Sequence, residues 1–351
     1  MISKIHLTNF RNFEEKILSF SPKTTVIVGP NASGKTNILE SIFLLATGKS
    51  FKAKVEEDMI RQGEEVGRVK GLVGENKLEV LLTRGEVRIT NTSVTKVSKK
   101  KLTVNGVAKR LVDFGKNFHV VLFAPADMDL VTESPSLRRK ILDIVLSQSD
   151  YEYRRSLLSY EKGLRQRNKL LIKIREEGIS RNQLYFWNNL LIKNGNYIAH
   201  AREEFINFVN SSASFNGKRY EIKYDKSSIS ESRLDQYKNE EVLTGTTLVG
   251  PHRDDFIFFE DDKSLDSYGS RGEQRMAILW LKISELNFLQ EKVNEKPTLL
   301  LDDIFSELDH EHRDIVIHIA KNQQTIITTA DPHFIEDFSG VEKINLHDKK
   351  S

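Results

Sequence analysis

The sequence predicts an α/β fold whose alternation of strand and helix is interrupted by a long helical insertion. Three observations carry this. A buried run, Val26-Ile27-Val28, ends at Gly29 and is followed at once by apolar residues at helical spacing; the period turns helical from about Ser136 to Asn210; and alternating strands and helices return after Arg271. The bounds follow as residues 1–125 for the first part of an α/β lobe, 126–265 for a mainly helical lobe, and 266–351 for the remainder of the first lobe. A chain of 351 residues can bury a large core as one big domain or two lobes, at about 150 residues per domain.

In chain order, Ile5 and Leu7 alternate with polar neighbours as in a strand, Ser21-Pro22 marks a turn, and Val26 to Val28 forms the buried strand. The helix that follows runs from Lys35 to Leu45 through Ile38, Leu39, Ile42 and Phe43, with Thr47-Gly48 as its stop. Residues 66 to 123 predict short strands, among them Leu78 to Leu82 and Val87 to Ile89. They close with Val120-Val121-Leu122-Phe123 before Pro125, the whole read as an antiparallel sheet beside the first buried strand. Two helical stripes follow, one through Leu157, Tyr160, Leu164, Leu171 and Ile174, the other through Trp187, Leu190, Tyr197, Ala201, Phe205 and Phe208. Each lasts only a few turns, so they predict a packed helical lobe and not an extended coiled coil. The polar segment from Asp225 to Glu241 is expected to be a mobile connection. Beyond it come a helix from Arg271 to Leu289, a buried strand at Thr298 to Leu301, a helix around His310 to Ala320 and a strand at Thr325 to Thr328.

Composition sets limits on function. With no cysteine, disulfide scaffolds, thiolate metal sites and thiol nucleophiles are excluded. The amino terminus alternates polar and apolar residues, unlike a signal peptide, and no stretch approaches about 18 uninterrupted apolar residues, so a cytoplasmic protein without membrane partners is expected. The 53 Lys and Arg against 50 Asp and Glu leave a net charge of +3. That excess is too small to argue for nucleic acid by itself, and the distribution of charge decides more.

Chemistry concentrates first at Gly29-Pro30-Asn31-Ala32-Ser33-Gly34-Lys35-Thr36, which matches G-x-x-x-x-G-K-[ST] between a predicted strand and a predicted helix. Glycines let successive N–H groups turn inward around a phosphate chain, the helix amino terminus adds partial positive charge, Lys35 reaches the β- and γ-phosphates and the Thr36 hydroxyl can hold Mg²⁺. Phosphoryl transfer also needs carboxylates. Thr298-Leu299-Leu300-Leu301-Asp302-Asp303 is a buried strand running into two acids. Beside a P-loop, Asp302 would hold Mg²⁺ through water and Asp303 would polarise the attacking water. Between these motifs, Ser270-Arg271-Gly272-Glu273 opens an amphipathic helix through Met276, Leu279 and Ile283. It reads either as a second phosphate site without a lysine or as an ordinary helix cap.

At this stretch the chain resembles the ABC ATPases, whose signature reads Leu-Ser-Gly-Gly-Gln. Ser270 and Gly272 match, Arg271 replaces the first glycine and Glu273 takes the glutamine place. The resemblance implies a P-loop NTPase fold of ABC ATPase type with a helical second lobe inserted. It also implies that the signature contacts the γ-phosphate of ATP held by another subunit's P-loop, so that ATP and Mg²⁺ join a homodimer. Ser306-Glu307-Leu308-Asp309 looks like the D-loop of these proteins. Several stretches are similar to the RecF family of bacterial DNA replication and repair proteins: Leu7-Thr8-Asn9-Phe10-Arg11-Asn12-Phe13, Phe123-Ala124-Pro125-Ala126-Asp127-Met128, Ser134-Pro135-Ser136-Leu137-Arg138-Arg139, Gly250-Pro251-His252-Arg253-Asp254-Asp255, and Leu300 to Asp309. They follow family order over nearly the whole chain. Arg11 is on this basis a candidate phosphate contact, though it is also compatible with a surface arginine in a turn. No metal role is expected of His252. The metal-sensing glutamine of many ABC proteins is not identifiable after Phe123, where Asp127 is a positional stand-in, and the usual histidine after the last core strand is replaced by Thr328-Thr329, with His333 further along. Together with Asp303, one methylene shorter than glutamate, these departures predict slow hydrolysis.

Between Arg138 and Arg175 there are eleven Lys and Arg against four acids, and a solvated helix face or a grip on duplex phosphates both fit that excess. The candidate DNA contacts are Arg138, Arg139, Arg165, Arg167 and Lys169. A second cluster comprises Lys96, Lys99, Lys100, Lys101, Lys109 and Arg110, and no aromatics interleave with either, which favours duplex over base-by-base recognition. The expected protein clamps duplex DNA near single-strand gaps when ATP dimerises it and releases it on weak, DNA-stimulated hydrolysis. The family resemblance implies a role in recombinational repair with RecR and RecO, helping to load RecA. The alternative is a DNA-tethering head like SMC or RecN, disfavoured by the absence of room for long coiled-coil arms. A transporter ATPase subunit is disfavoured by the Asn-Phe-Arg start and the basic lobe.

Overall fold

The computed structural model describes residues 1–90, 93–212, 214–306, 308–331, 333 and 341–346. The chain forms two compact units, Met1–Asp127 with Leu289–Ser351, and Met128–Phe288.

Among the described residues the first unit holds two large sheets and a two-stranded one. Strands β1 (Ile2–Phe10), β2 (Phe13–Ser19), β4 (Val66–Val73), β5 (Asn76–Thr83), β8 (Lys100–Val104) and β9 (Val107–Lys109) pair antiparallel in the order β2-β1-β4-β5-β8-β9. Strands β6 (Glu86–Thr90) and β7 (Ser93–Lys96) pair separately with each other, and the short helix α2 (Leu111–Phe114) follows β9. The other large sheet is parallel, in the order β10-β15-β16-β3-β17, from β3 (Thr24–Val28), β10 (Val120–Phe123), β15 (Thr298–Asp302), β16 (Thr325–Thr329) and β17 (Glu342–Asn345). Val120 to Phe123, expected in the antiparallel sheet, therefore belongs to the parallel one. Its unbroken apolar run suits a strand covered on both faces, whereas β4 alternates buried and exposed residues.

Helix α1 (Lys35–Thr47) packs against β4 and β5 on one side and β10, β15 and β16 on the other. Ile38 through Ala46 are all buried, as a helix covered on every side requires. Helix α10 (His310–Ala320) connects β15 to β16. A buried glutamine ties the two sheets together: Gln324 accepts from Ile2 N–H at 2.8 Å and donates to Ile2 C=O at 2.6 Å, and its Oε1 also takes the Thr298 hydroxyl at 3.0 Å.

The second unit contains the helical hairpin of α4 (Tyr151–Glu177) and α5 (Tyr185–Ser211), flanked by α3 (Pro135–Ser149), α6 (Glu231–Gln236) and α7 (Lys238–Thr244), and the short helix α8 (Leu265–Tyr268). It also contains a sheet ordered β11-β12-β13-β14, from β11 (Ser214–Phe215), β12 (Lys218–Asp225), β13 (Asp255–Glu260) and β14 (Lys263–Ser264). The long helix α9 (Arg271–Val293) contributes to this unit through Phe288. Trp280 stacks on Tyr220 at 5.6 Å and donates to Ser212 C=O at 2.7 Å, and Phe288 meets Phe205 edge-on at 4.9 Å. The sequence grouping of the signature helix with the first lobe is corrected by these contacts, which its apolar spacing could not reveal.

The polar 225–241 segment is likewise not a mobile connection. It folds into α6 and the start of α7, and Glu241, fully buried, pairs with Arg167 at 2.7 Å. Arg167 also donates to Asn188 at 2.7 Å and Thr247 at 2.8 Å and is 2% exposed, so it is withdrawn from any contact with DNA. Arg138 is buried against Asp255 through bonds of 2.6 and 2.9 Å, and Arg139 donates to Asp254 C=O at 2.7 Å. Both hold helix α3 to the Gly250–Asp255 turn; this corrects Arg138 as a phosphate ligand, while Arg139 is half-buried with one donor bound to that carbonyl.

That turn is the hub of the unit. Asp254, fully buried, accepts from Arg202 at 2.9 Å, Ser227 N–H at 2.8 Å and the Tyr224 hydroxyl. Gly250 sits at φ 122°, where a Cβ would meet the Tyr160 hydroxyl at 2.3 Å. His252 donates from Nε2 to Thr247 C=O at 3.0 Å, leaving Nδ1 to accept from the Tyr160 hydroxyl at 2.8 Å. Burial pushes the ring down to about 4 from its ordinary 6.5. Because the unfolded chain binds the proton more readily, His252 contributes stability that is complete above pH 6.5 and is lost as pH falls toward 4. Thermal unfolding between pH 7 and 5 is expected to show a loss of about 2 kcal/mol from this group, and His252→Gln should flatten that window. An unchanged slope in the variant would remove His252 from the acid response.

Candidate functional site

The parallel sheet delivers two chain segments to one place. Strand β3 ends at Val28, the loop of residues 29–34 curls, and α1 begins at Lys35 with Gly34 in the left-handed region at φ 103°. At Gly29 a Cβ would meet Leu346 C=O at 2.7 Å and Ser33 Oγ at 2.8 Å, so glycine is needed for close approach. The Lys35 ammonium, nearly buried, folds back to donate to Gly29 C=O at 2.6 Å and Pro30 C=O at 2.9 Å. Ser33 Oγ is buried with no hydrogen-bond partner among the described residues. A glycine-bounded loop at a helix amino terminus, a cation satisfied by carbonyls and an orphaned hydroxyl fit a phosphate chain.

Strand β15 brings Asp302 to the same loop from 266 residues away: the Thr36 hydroxyl donates to Asp302 Oδ1 at 2.9 Å. The Thr328 hydroxyl donates to the same oxygen at 2.8 Å. Burial raises the Asp302 carboxyl above its ordinary value, with the two hydroxyls opposing that shift. A hydroxyl and a carboxylate side by side, both hard oxygen donors, fit Mg²⁺. Asp303 adopts φ 51°, unusual for a residue with a side chain, and its N–H is held by Thr328 through C=O and hydroxyl, both at 3.1 Å. Thr328, expected only as a replacement for a missing histidine, thus contacts both aspartates.

Arg11 lies in the turn after β1, at φ 55°. It grips Glu40 of α1 with bonds of 2.7 and 2.6 Å and donates to Asp58 C=O at 2.6 Å. It also lines an open cleft of about 730 Å³ with Asn12, Asn37, Lys52, Asp58 and Arg61. Asn12 donates to Ser33 C=O at 3.2 Å and accepts from Asn37 at 2.9 Å, so the Arg-Asn-Phe turn buttresses the P-loop. Glu40 was hidden from sequence reasoning; a lone acid among the apolar positions of α1 was its signal. Asp127 accepts from Ala124 N–H at 2.8 Å, closing the turn after β10, and exposed His333 donates its N–H to Asp331 at 2.9 Å. In the D-loop stretch Glu307 lies outside the described residues, Leu308 is buried, and Asp309 caps α10 by accepting from His312 N–H at 3.0 Å.

The signature belongs to the second unit. Ser270 N–H donates to Glu273 at 2.7 Å and Glu273 N–H donates to the Ser270 hydroxyl at 3.3 Å, a reciprocal cap. Ser270, Arg271 and Gly272 are exposed, and nothing lies within 4 Å of where a Gly272 Cβ would stand. Among the described residues no helix is long and apolar enough to cross a membrane.

The fold and the P-loop with its strand-borne aspartates define a P-loop ATPase head of the ABC type. The family model for the RecF/RecN/SMC N terminal domain matches residues 1–351. The DNA replication and repair protein RecF of Agathobacter rectalis is 33% identical over 355 residues, spanning 98% of this chain and 96% of that protein. Its counterpart in Bacillus cereus strain G9842 is 35% identical over 374 residues, spanning 100% and 96%. The chain belongs to the RecF family of DNA replication and repair proteins. A structure of the recombination mediator protein RecF with ATPrS, in the RecFOR pathway, superimposes with a TM-score of 0.87 at 32% identity, covering 98% of this chain and 96% of that one. A Smc head bound to the C-winged helix domain of ScpA, at 15% identity and a TM-score of 0.51 over 95% and 90% of the two chains, shares the fold.

Gly34→Ala places a Cβ in the left-handed region and within 2.8 Å of Asn12 and Phe13 side-chain atoms. The strain of about 1–2 kcal/mol falls on the loop and on the Asn12-Phe13 turn that supports it, so affinity for a fluorescent nucleoside triphosphate should drop about tenfold while the circular dichroism spectrum stays unchanged. Wild-type affinity in this variant would count against the loop as the phosphate cradle.

Proposed function

We propose that the chain is an ATP-dependent DNA-binding protein of recombinational repair, in which ATP joins two copies around duplex DNA near single-strand gaps. The observation that carries this is the Thr36 to Asp302 hydrogen bond beside Lys35, which assembles a metal and phosphate site from opposite ends of the chain. Similarity to a RecF solved with ATP supports the nucleotide. Magnesium, when bound, neutralises charge on the β- and γ-phosphates and leaving group.

The residues of this chain divide the rest of the work. Lys35 exchanges the carbonyls of Gly29 and Pro30 for phosphate oxygens, with Asn31, Ala32, Ser33 and Gly34 completing the loop. Thr36 and Asp302 hold the metal, and the two donors of Arg11 left over from Glu40 and Asp58 reach toward the phosphates. Asp303, fixed by Thr328, orients the attacking water and accepts its proton. Its short side chain makes turnover weak. Ser270 and Gly272 of a second copy close the other side of the triphosphate, with Glu273 capping the turn that carries them, which favours the closed dimer by differential affinity. Hydrolysis then releases the DNA; by linkage DNA tightens the hold of the closed dimer on ATP, and stimulation of the ATPase by DNA belongs to the same reading. The same reading includes single-strand and duplex junctions as targets, RecR and RecO as partners in RecA loading, and a cytoplasmic location.

The basic stripe of α4 supports the DNA contact in a corrected register. Lys162, Arg165, Lys169 and Lys173 are exposed at spacings of three, four and four residues, one face about 16 Å long. Arg167 lies off that face and is buried.

Sedimentation velocity tests the dimer. Lys35→Ala should abolish ATP-dependent association, whereas Ser270→Arg should block association and spare nucleotide binding by the monomer. Dimers in either variant would refute the two-copy site. Removing the charges of Arg165 and Lys169 should weaken duplex binding and reduce the slope of log K against log salt by about 2. Arg167→Met instead should lower stability by about 3–5 kcal/mol without changing that slope. An equal slope in the Arg165 and Lys169 variant would move the DNA site off α4.

A further inference from the structure

Glu273 poses an electrostatic problem that its neighbours answer. In the two-copy site proposed above, on which this inference rests, the amino terminus of α9 meets a terminal phosphate. A carboxylate there repels a triphosphate, and it also consumes the Ser270 N–H that such a phosphate needs, through the 2.7 Å bond to its Oε2. The other carboxylate oxygen faces Lys218, whose ammonium lies 3.7 Å from Glu273 Oε1.

Lys218 is itself fixed in place. It opens β12, and its ammonium is anchored 2.5 Å from Oε1 of Glu260, a buried residue of the paired strand β13. Tyr220, next but one along β12, stacks under Trp280 of α9. Strand β12 therefore holds the lysine beside the signature helix from below, independently of the Ser270 to Glu273 cap. The Ser270 N–H and hydroxyl keep the Glu273 carboxyl below the ordinary range, and Lys218 and Lys263 add to this, so the group stays charged.

We infer that Lys218 is the charge-compensating residue of the signature half-site, drawing the Glu273 carboxylate aside so that Ser270 N–H can turn to a terminal phosphate brought by a second copy. Lys218 is a positioning residue here. It acts through Glu273 and need not touch the phosphate.

The two residues can be separated in the full-length chain by sedimentation velocity with ATP and Mg²⁺. Wild type should dimerise. Lys218→Met should weaken the dimer about tenfold, Lys218→Arg should restore it to within about twofold, and Glu273→Gln, which keeps the cap, should tighten it. The decisive arm is the double variant. With no carboxylate to compensate, Lys218→Met in the Glu273→Gln background should associate within about twofold of Glu273→Gln alone. Monomer binding of a fluorescent ATP analogue should be unchanged throughout, since the P-loop is untouched. A double variant as weak as Lys218→Met, or a Glu273→Gln variant no tighter than wild type, would overturn the inference while leaving the two-copy site standing. Failure of wild type to dimerise would sink both.

Discussion

The burial of α1 between two sheets is the constraint on which the site depends. A helix covered on all sides has no freedom to rotate, so the direction of its first turn is fixed by Ile38, Leu39, Ile42 and Phe43 deep in the core. Thr36 then faces Asp302 and Lys35 folds over its own loop. Glu40, inside the same helix, cannot remain buried and charged alone, and the bidentate grip of Arg11 satisfies it. The turn that carries Arg11 also places Asn12 against Ser33. One packed helix thus sets the loop, the metal-holding pair and the buttress around them.

Much of the nucleotide site is legible in the sequence because its chemistry is local. A P-loop is contiguous, and Asp302-Asp303 follows a run of leucines that can only be a buried strand. What stays hidden is the identity of partners across long sequence distances. Thr328 looks like the loss of a histidine until β15 and β16 are paired, at which point its hydroxyl lies between both aspartates. Counting cations between Arg138 and Arg175 finds the excess but not its faces. Helical period alone separates Lys162, Arg165, Lys169 and Lys173 from Arg167, yet only the buried Glu241, in a segment polar enough to pass for a linker, explains why an arginine is inside. The same holds for Gly250 to Asp255, whose conspicuous string of polar residues is spent on knitting helices together.

The two halves of the proposed triphosphate site lie in different units of the chain and are built differently. On the P-loop side Lys35 and Asp302 are buried, while Pro30 to Ala32 are exposed at the tip of the loop. The signature side is open: Ser270, Arg271 and Gly272 are exposed, and the first donors of α9 are occupied only by a carboxylate from its own first turn. Such a surface has a cap that can be exchanged, because the bond it gives up is an exposed one worth little in water. The hub of the same unit contrasts with this, since Asp254 and Arg202 are buried and bound to side chains and backbone from separate elements.

The pairing of Thr24 to Val28 with Thr325 to Thr329 and with Glu342 to Asn345 has a consequence for biosynthesis. Both edges of β3 emerge from the ribosome without the strands that will cover them, and about 300 residues must follow first, a delay of roughly 15–60 s at ordinary translation speeds. During that interval the P-loop strand is an apolar ribbon with two open edges, the kind of segment that pairs with other chains. The nascent protein should therefore depend on holding factors until its last quarter is made, and a truncated product ending before Thr325 is expected to aggregate instead of forming a smaller working enzyme.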